Sequence, residues 1–106
     1  MKGLCETFRN EMAFRIELTA AVILVPTALI LSASPIVRIM LIGSVFLVLI
    51  VELLNTGIET IVNRISTEQH YLSGRAKDAA SAAVFVASLN LVFVWGTVSF
   101  DLILNK

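Results

Sequence analysis

The sequence predicts an all-α membrane protein, an amphipathic N-terminal interfacial helix followed by three transmembrane helices, and three observations carry that expectation. Of its 106 residues, 58% are hydrophobic and only 15% charged, against about 45–50% and about 25% in an ordinary soluble domain. Apolar stretches of helical length recur three times, each sufficient for a hydrocarbon core about 30 Å thick. Between them lie turn signals, Ser32-Ala33-Ser34-Pro35 and a polar segment from Ser66 to Gly74. A net charge of zero leaves no basic field to attract nucleic acid. The single cysteine, Cys5, excludes an intrachain disulfide framework or a cysteine metal cage.

Residues 1–16 are expected to form the interfacial helix. Leu4, Phe8 and Met12 recur every four residues, with Lys2, Glu6 and Arg9 elsewhere around the helix, the pattern of a helix lying in a membrane surface. Glu11 and Arg15 stand four apart, which suits a solvated ion pair. Glu6, Glu11 and Glu17 precede the first apolar run and no small-residue cleavage site follows, so that run is expected to stay in the mature protein.

The first span is placed at 17–35. Leu18 to Val37 are 20 consecutive uncharged residues, interrupted by Pro26, which removes one backbone donor and is expected to kink the helix. Ser34 then reads as an N-cap with Pro35 in the first position of the next helix. That helix, 36–65, is longer than a span needs, so its last turns should project beyond the hydrocarbon and carry Glu59 to the interface. A polar loop is expected over 66–77, where Ser, Thr, Gln and Gly accumulate around His70.

The third span is placed at 78–100, because 22 uncharged residues run from Ala79 to Phe100 between Asp78 and Asp101. Ala79, Ala83 and Ala87 recur every four residues, a small-residue stripe suited to close helix packing. Trp95 and Phe100 suit the far interface. Lys2, Arg9, Arg15, Arg64, Arg75 and Lys77 lie on one side of the spans, against Arg38 and Lys106 on the other. That asymmetry predicts a cytoplasmic amino terminus and polar loop, with the carboxyl terminus outside.

Chemistry concentrates in the second span. Glu52, Asn55 and Glu59, at offsets of three and seven, share one helix face, and the two acids lie about 10 Å apart along its axis. Carboxylates in an apolar helix cost several kcal/mol unless protonated, paired or metal-bound, so they mark a functional site by default. Glu11, Glu59, Glu68, His70, Arg75, Lys77 and Asp78 all fall at the cytoplasmic interface, and their oxygen donors suit Mg²⁺ held jointly with phosphate oxygens. No GxxxxGK[ST] or glycine-rich kinase loop occurs in the sequence. Two other classes stay open on the residues alone. One is a small proton-coupled transporter using Glu52, which an even number of spans would favour. The other is a structural membrane subunit, with Glu52 protonated and hydrogen-bonded to Asn55.

The stretch VELLNTGIETIVNRISTEQHYLSGRAKDAASAAV, joined to NEMAFRIE upstream, closely resembles the bacterial integral-membrane diacylglycerol kinases. The similarity runs from Lys2-Gly3-Leu4 through the third span. The resemblance implies a homotrimer in the bacterial inner membrane that transfers the γ-phosphoryl group of MgATP to diacylglycerol, giving phosphatidic acid. It implies Glu52 as general base, Glu11 and Glu59 as metal-binding carboxylates, and Glu11, Glu59, Glu68, Gln69, His70, Lys77 and Asp78 as ATP-binding positions. Ala13, Phe14, Arg15, Ile16, Glu17, Arg38, Glu52, Asn55, Ser81 and Trp95 match positions of the lipid-substrate site. Asn63, Gln69 and Tyr71 depart from frequent family residues, and with them nucleotide affinity or base preference is expected to differ. Relatives that phosphorylate undecaprenol share the acidic helix, so an undecaprenol kinase is the alternative within the family. Phe14-Arg15-Ile16-Glu17 and Ser73-Gly74-Arg75 favour the diacylglycerol branch.

Overall fold

The computed structural model describes residues 1–65 and 71–105. Glu68, Gln69 and His70 lie outside the described residues, with Ser66 and Thr67 of the expected polar loop. Within the described residues the chain forms four helices, α1 (Lys2–Asn10), α2 (Met12–Leu31), α3 (Pro35–Ile65) and α4 (Tyr71–Leu104). The last three are each long and apolar enough to cross a membrane. With a long axis of 57 Å, the bundle extends well past a hydrocarbon core about 30 Å thick, so helix ends reach the polar interfaces.

The interfacial helix is shorter than its sequence pattern suggested. It stops at Asn10, because Glu11 turns extended, with φ −116° and ψ 112°. These are the dihedrals of an N-cap residue, which leaves the helix while its carbonyl starts the next one. The Glu11 amide still donates to the Thr7 carbonyl at 2.9 Å, and the Arg15 amide donates to the Glu11 carbonyl at 3.1 Å. The chain thus changes direction with both flanking helices hydrogen-bonded almost to the break. Met12 to Leu31 then form one helix, so the first span begins earlier and ends earlier than 17–35. Pro26 is accommodated inside α2, where the Thr27 hydroxyl donates to the Ile23 carbonyl at 2.7 Å.

The link to α3 obeys the expected capping chemistry. Pro35 opens the helix, and the Val37 amide donates to Ser34 Oγ at 3.4 Å. Ser32 Oγ accepts from the Ser34 amide at 3.0 Å. Tyr71 to Lys77 are helical rather than loop, forming the first two turns of α4. The small and aliphatic residues from Ala76 onward propagate helix well, and nothing between Tyr71 and Asp78 other than Gly74 opposes it.

Packing is uneven along the bundle. α3 is the central element, lying against both α2 and α4, while α1 touches α2 and α3. Ala28, Leu41 and Val94 form a buried cluster, flanked by Val37, Ile42, Trp95 and Val98. The α4 residues that enter the interior are Ala80, Ala87 and Val94, seven apart. Of the alanine stripe, therefore, Ala87 packs within the chain whereas Ala79 and Ala83 face outward.

Candidate functional site

The α1–α2 break sets Glu11 beside the acid-bearing half of α3. Glu11 makes no side-chain cap bond to α2, so its carboxylate stays available, and its charge acts on Glu52 together with that of Glu59. Glu17, about two turns further along α2, is in turn under the influence of Glu52. Four carboxylates from α2, α3 and their approach thus share one neighbourhood. Among the described residues no salt bridge neutralises them. Like charges so placed repel one another, which a cation would relieve.

Glu52 is 6% exposed, the charged side chain that α3 sends into the protein interior. Its backbone carbonyl accepts from the Thr56 hydroxyl at 3.1 Å, which stiffens the turn that carries it. Asn55 does not hydrogen-bond Glu52. Its amide instead donates from Nδ2 to Glu59 Oε1 at 2.9 Å, one turn toward the interface. Asn55 Oδ1 is buried without a partner, and so is Glu17 Oε2. Buried oxygens left unsatisfied cost about 1–3 kcal/mol each, so they need an explanation, and a donor arriving from a substrate supplies one.

This donor set bears on the expected metal. No group of three His, Cys, Asp or Glu residues among the described residues is arranged to hold an ion. A cation that takes one or two protein oxygens and completes its shell with phosphate and water needs no such group. Glu11, Glu59 and the open Asn55 Oδ1 are of that chemistry.

Beneath the acids lies an apolar cavity of about 140 Å³ between α2, α3 and α4, lined by Glu17, Leu24, Val48 and Leu91 among others, with Ser88 on the α4 side. No signal in the sequence marked Ala20, Leu24 or Leu91 as cavity residues. Spacing alone cannot separate a cavity wall from a packed seam.

The remaining matched positions divide. Phe14 is 1% exposed and belongs to the packed interior, while Ala13, Arg15 and Ile16 face outward, so the 13–17 stretch does not present one surface. Lys77 is half-buried and Asp78 and Ser81 exposed at the start of α4. Arg38 and Trp95 lie at the opposite end of the bundle. Arg38 Nε donates to the Ser32 carbonyl at 2.7 Å and Nη2 to the Leu29 carbonyl at 2.9 Å, and Trp95 Nε1 donates to the Leu41 carbonyl at 3.2 Å. With Arg38 fourteen residues before Glu52, the two are about 21 Å apart along α3.

Comparison with known proteins bears on the same residues. The family model described as prokaryotic diacylglycerol kinase matches residues 1–99. A diacylglycerol kinase of Haemophilus influenzae is 49% identical over 100 residues, covering 94% of this chain and 85% of its own. That of Escherichia coli strain K12 is 50% identical over 94 residues, covering 89% and 77%. A third, from Pseudomonas aeruginosa, is 44% identical over 98 residues, covering 92% and 80%.

Proposed function

This chain belongs to the prokaryotic diacylglycerol kinase family, and from that premise we propose how its residues share the work. It is a multi-pass membrane enzyme, a lipid kinase acting on diacylglycerol. The phosphoryl donor is ATP, presented with Mg²⁺, and the product is phosphatidic acid. The three relatives are all diacylglycerol kinases, which favours that acceptor over undecaprenol. Three candidate spans would put the termini on opposite sides, and the basic residues favour a cytoplasmic amino terminus in the bacterial inner membrane.

The observation that carries the mechanism is the division of labour between Glu52 and Asn55. Because the Asn55 amide is committed to Glu59, Glu52 is left as a buried carboxylate whose side chain has no hydrogen-bond partner among the described residues. It takes the proton of the acceptor hydroxyl as that oxygen bonds to the γ-phosphorus and the bond to the β,γ-bridging oxygen breaks, ADP leaving with the electron pair. Glu11 and Glu59 would hold the metal, and Asn55 fixes the Glu59 carboxylate in orientation for it. A bound Mg²⁺ supplies charge neutralisation at the phosphate oxygens. The apolar wall below Glu52 excludes water, which protects the phosphoryl group from hydrolysis. Glu68, Gln69, His70, Lys77 and Asp78 are assigned to the nucleotide. Ala13, Arg15, Ile16, Glu17 and Ser81 are assigned to the lipid.

We assign the working state to a homotrimer, as the family resemblance implies, and Glu11 and Glu59 are only half-buried in the single chain. The experiment that tests the reaction offers labelled ATP with diacylglycerol and undecaprenol in parallel to the detergent-solubilised protein. Labelled phosphatidic acid is expected; label confined to undecaprenyl phosphate would overturn the acceptor.

A further inference from the structure

The cavity beneath the acids is closed at its lower end by the packing of the bundle. Leu24, Val45 and Leu91, one from each spanning helix, line it. One turn further down those helices, on the same faces, stand Ala28, Leu41 and Val94, which form the buried cluster. The cavity therefore ends on a floor rather than running on through the protein. At its upper end is Glu17, seven residues and about 10 Å along α2 from Leu24.

The volume and lining of this space suit a small guest. It measures about 140 Å³, and an apolar cavity of about 150 Å³ takes one benzene ring. A water molecule needs about two to four polar partners to settle in such a space. Glu17 and Ser88 are the polar residues of the lining among the described residues, and the Ser88 hydroxyl is committed to the Val84 carbonyl at 2.8 Å. Leu24, Val45, Val48 and Leu91 thus bound a volume that water does not satisfy.

Glu17 supplies a polar handle at the rim. Its Oε2 is buried and has no hydrogen-bond partner. A carboxylate oxygen accepts and does not donate, so an O–H complements it. The acceptor lipid brings a single hydroxyl, which the proposed reaction commits to Glu52, and its ester carbonyls are themselves acceptors that a carboxylate cannot hold. A neutral donor suits the place better than an ammonium, because burying a second charge carries a large desolvation cost. A ring that bears a hydroxyl matches both the volume and the oxygen.

We propose that this cavity is a binding site for small aryl alcohols, with the ring held between Leu24, Val45, Val48 and Leu91 and the hydroxyl donating to Glu17 Oε2. Val48 is one turn below Glu52 on the same face of α3, so an occupant stands where the proposed function places the acceptor lipid and competes with it. The competition rests on that function; the binding does not.

Fluorine NMR of the full chain in detergent tests the binding, with para-fluorobenzyl alcohol as probe and para-fluorotoluene, the same ring without the hydroxyl, as control. The alcohol should bind saturably and about tenfold more tightly than the toluene, the usual gain from a hydrogen bond to a charged group. Leu91→Phe fills the cavity and should abolish saturable binding. Ser88→Leu fills it from the same helix and puts the same question where Leu91→Phe does not fold. Glu17→Met keeps the side chain's length and removes its oxygens, so the two probes should then bind alike. A signal that never saturates, or that survives the filling substitutions, is partition into the micelle and overturns the site. A preference for the alcohol undiminished in Glu17→Met overturns the hydroxyl contact. In the phosphoryl-transfer assay, benzyl alcohol should raise the KM for diacylglycerol severalfold with kcat unchanged. Saturable binding with an unchanged KM overturns the competition, and with it the position given to the acceptor, while the cavity site stands.

Discussion

The two ends of α3 are built to opposite specifications. At its amino-terminal end, Leu41 is fully buried, and its carbonyl accepts from both Trp95 Nε1 and Ser44 Oγ. Arg38 there closes two carbonyls at the end of α2. Ser32, Ser34, Arg38, Ser44 and Trp95 there are all hydrogen-bonded, and the side chains around Leu41 are apolar. Toward the carboxyl-terminal end, Glu52 is buried, Asn55 Oδ1 and Glu17 Oε2 are buried and unsatisfied, and carboxylates act on one another. The same helix thus carries a satisfied half that holds the bundle and an unsatisfied half to which we assign the chemistry. Stability and chemistry should therefore separate by position.

The sharpest break of that comparison is Glu52→Gln. It keeps shape and removes the proton-accepting carboxylate, so on the proposed mechanism turnover should fall by about 10²–10⁴, or about 3–5 kcal/mol of barrier. MgATP binding, titrated in lipid, should change little, because Glu11 and Glu59 remain. Equal losses in both would move Glu52 into the phosphate site. The opposite half is probed by Leu41→Ala, which should destabilise the fold by about 2–5 kcal/mol. Turnover per folded molecule should stay near the wild-type value. Detergent-denaturation midpoints together with kcat on the surviving fraction check both statements.

A smaller effect tests the bridge between Asn55 and Glu59. Asn55→Ala frees the Glu59 carboxylate from its one turn-to-turn bond, and losing such an orienting partner typically costs about 10–100-fold in metal affinity. The magnesium concentration for half-maximal rate should rise by that factor, while kcat at saturating magnesium falls less. A drop in kcat with no change in magnesium requirement would place Asn55 on the acceptor instead.

How legible each feature was depends on which physics wrote it. Span number came from composition and length, since lipid leaves a chain few options besides helices. The Ser34-Pro35 helix start was legible because capping is local chemistry. The break at Glu11 was not: Leu4, Phe8 and Met12 keep helical periodicity straight through it, and a turn made only by backbone dihedrals leaves no pattern. The first turns of α4 were hidden for a related reason, since Tyr71-Leu72-Ser73-Gly74 carries loop composition while the alanine-rich run beyond it favours helix. In the site, Glu52, Asn55 and Glu59 declared themselves as polar residues in an apolar helix, yet their pairing did not, because spacing allows Asn55 either acid. Glu17 was known by resemblance alone; its place beside a cavity needed three helices in position.

Arg38 brings the comparison to its smallest and most discriminating test. Resemblance put it among the lipid-site positions, whereas the structure seats it at the far end of α3, with its guanidinium on the Leu29 and Ser32 carbonyls. Those carbonyls belong to the end of α2, where no further helical amide can reach them, and a cationic donor there satisfies them and complements the helix dipole. Because Arg38 is only half-buried, water competes for the same oxygens, and the gain should be about 0.5–1 kcal/mol. Arg38→Gln keeps some donor capacity and loses the charge. A capping role predicts a denaturation midpoint lowered by that small amount, with KM for diacylglycerol and kcat both unchanged. A lipid-binding role predicts the reverse, a KM several-fold higher at undiminished stability. Since Arg38 and Glu52 are about 21 Å apart along one helix, a clear KM effect would require the acceptor to span both halves of the bundle, and the division between a holding end and a reacting end would fail with it.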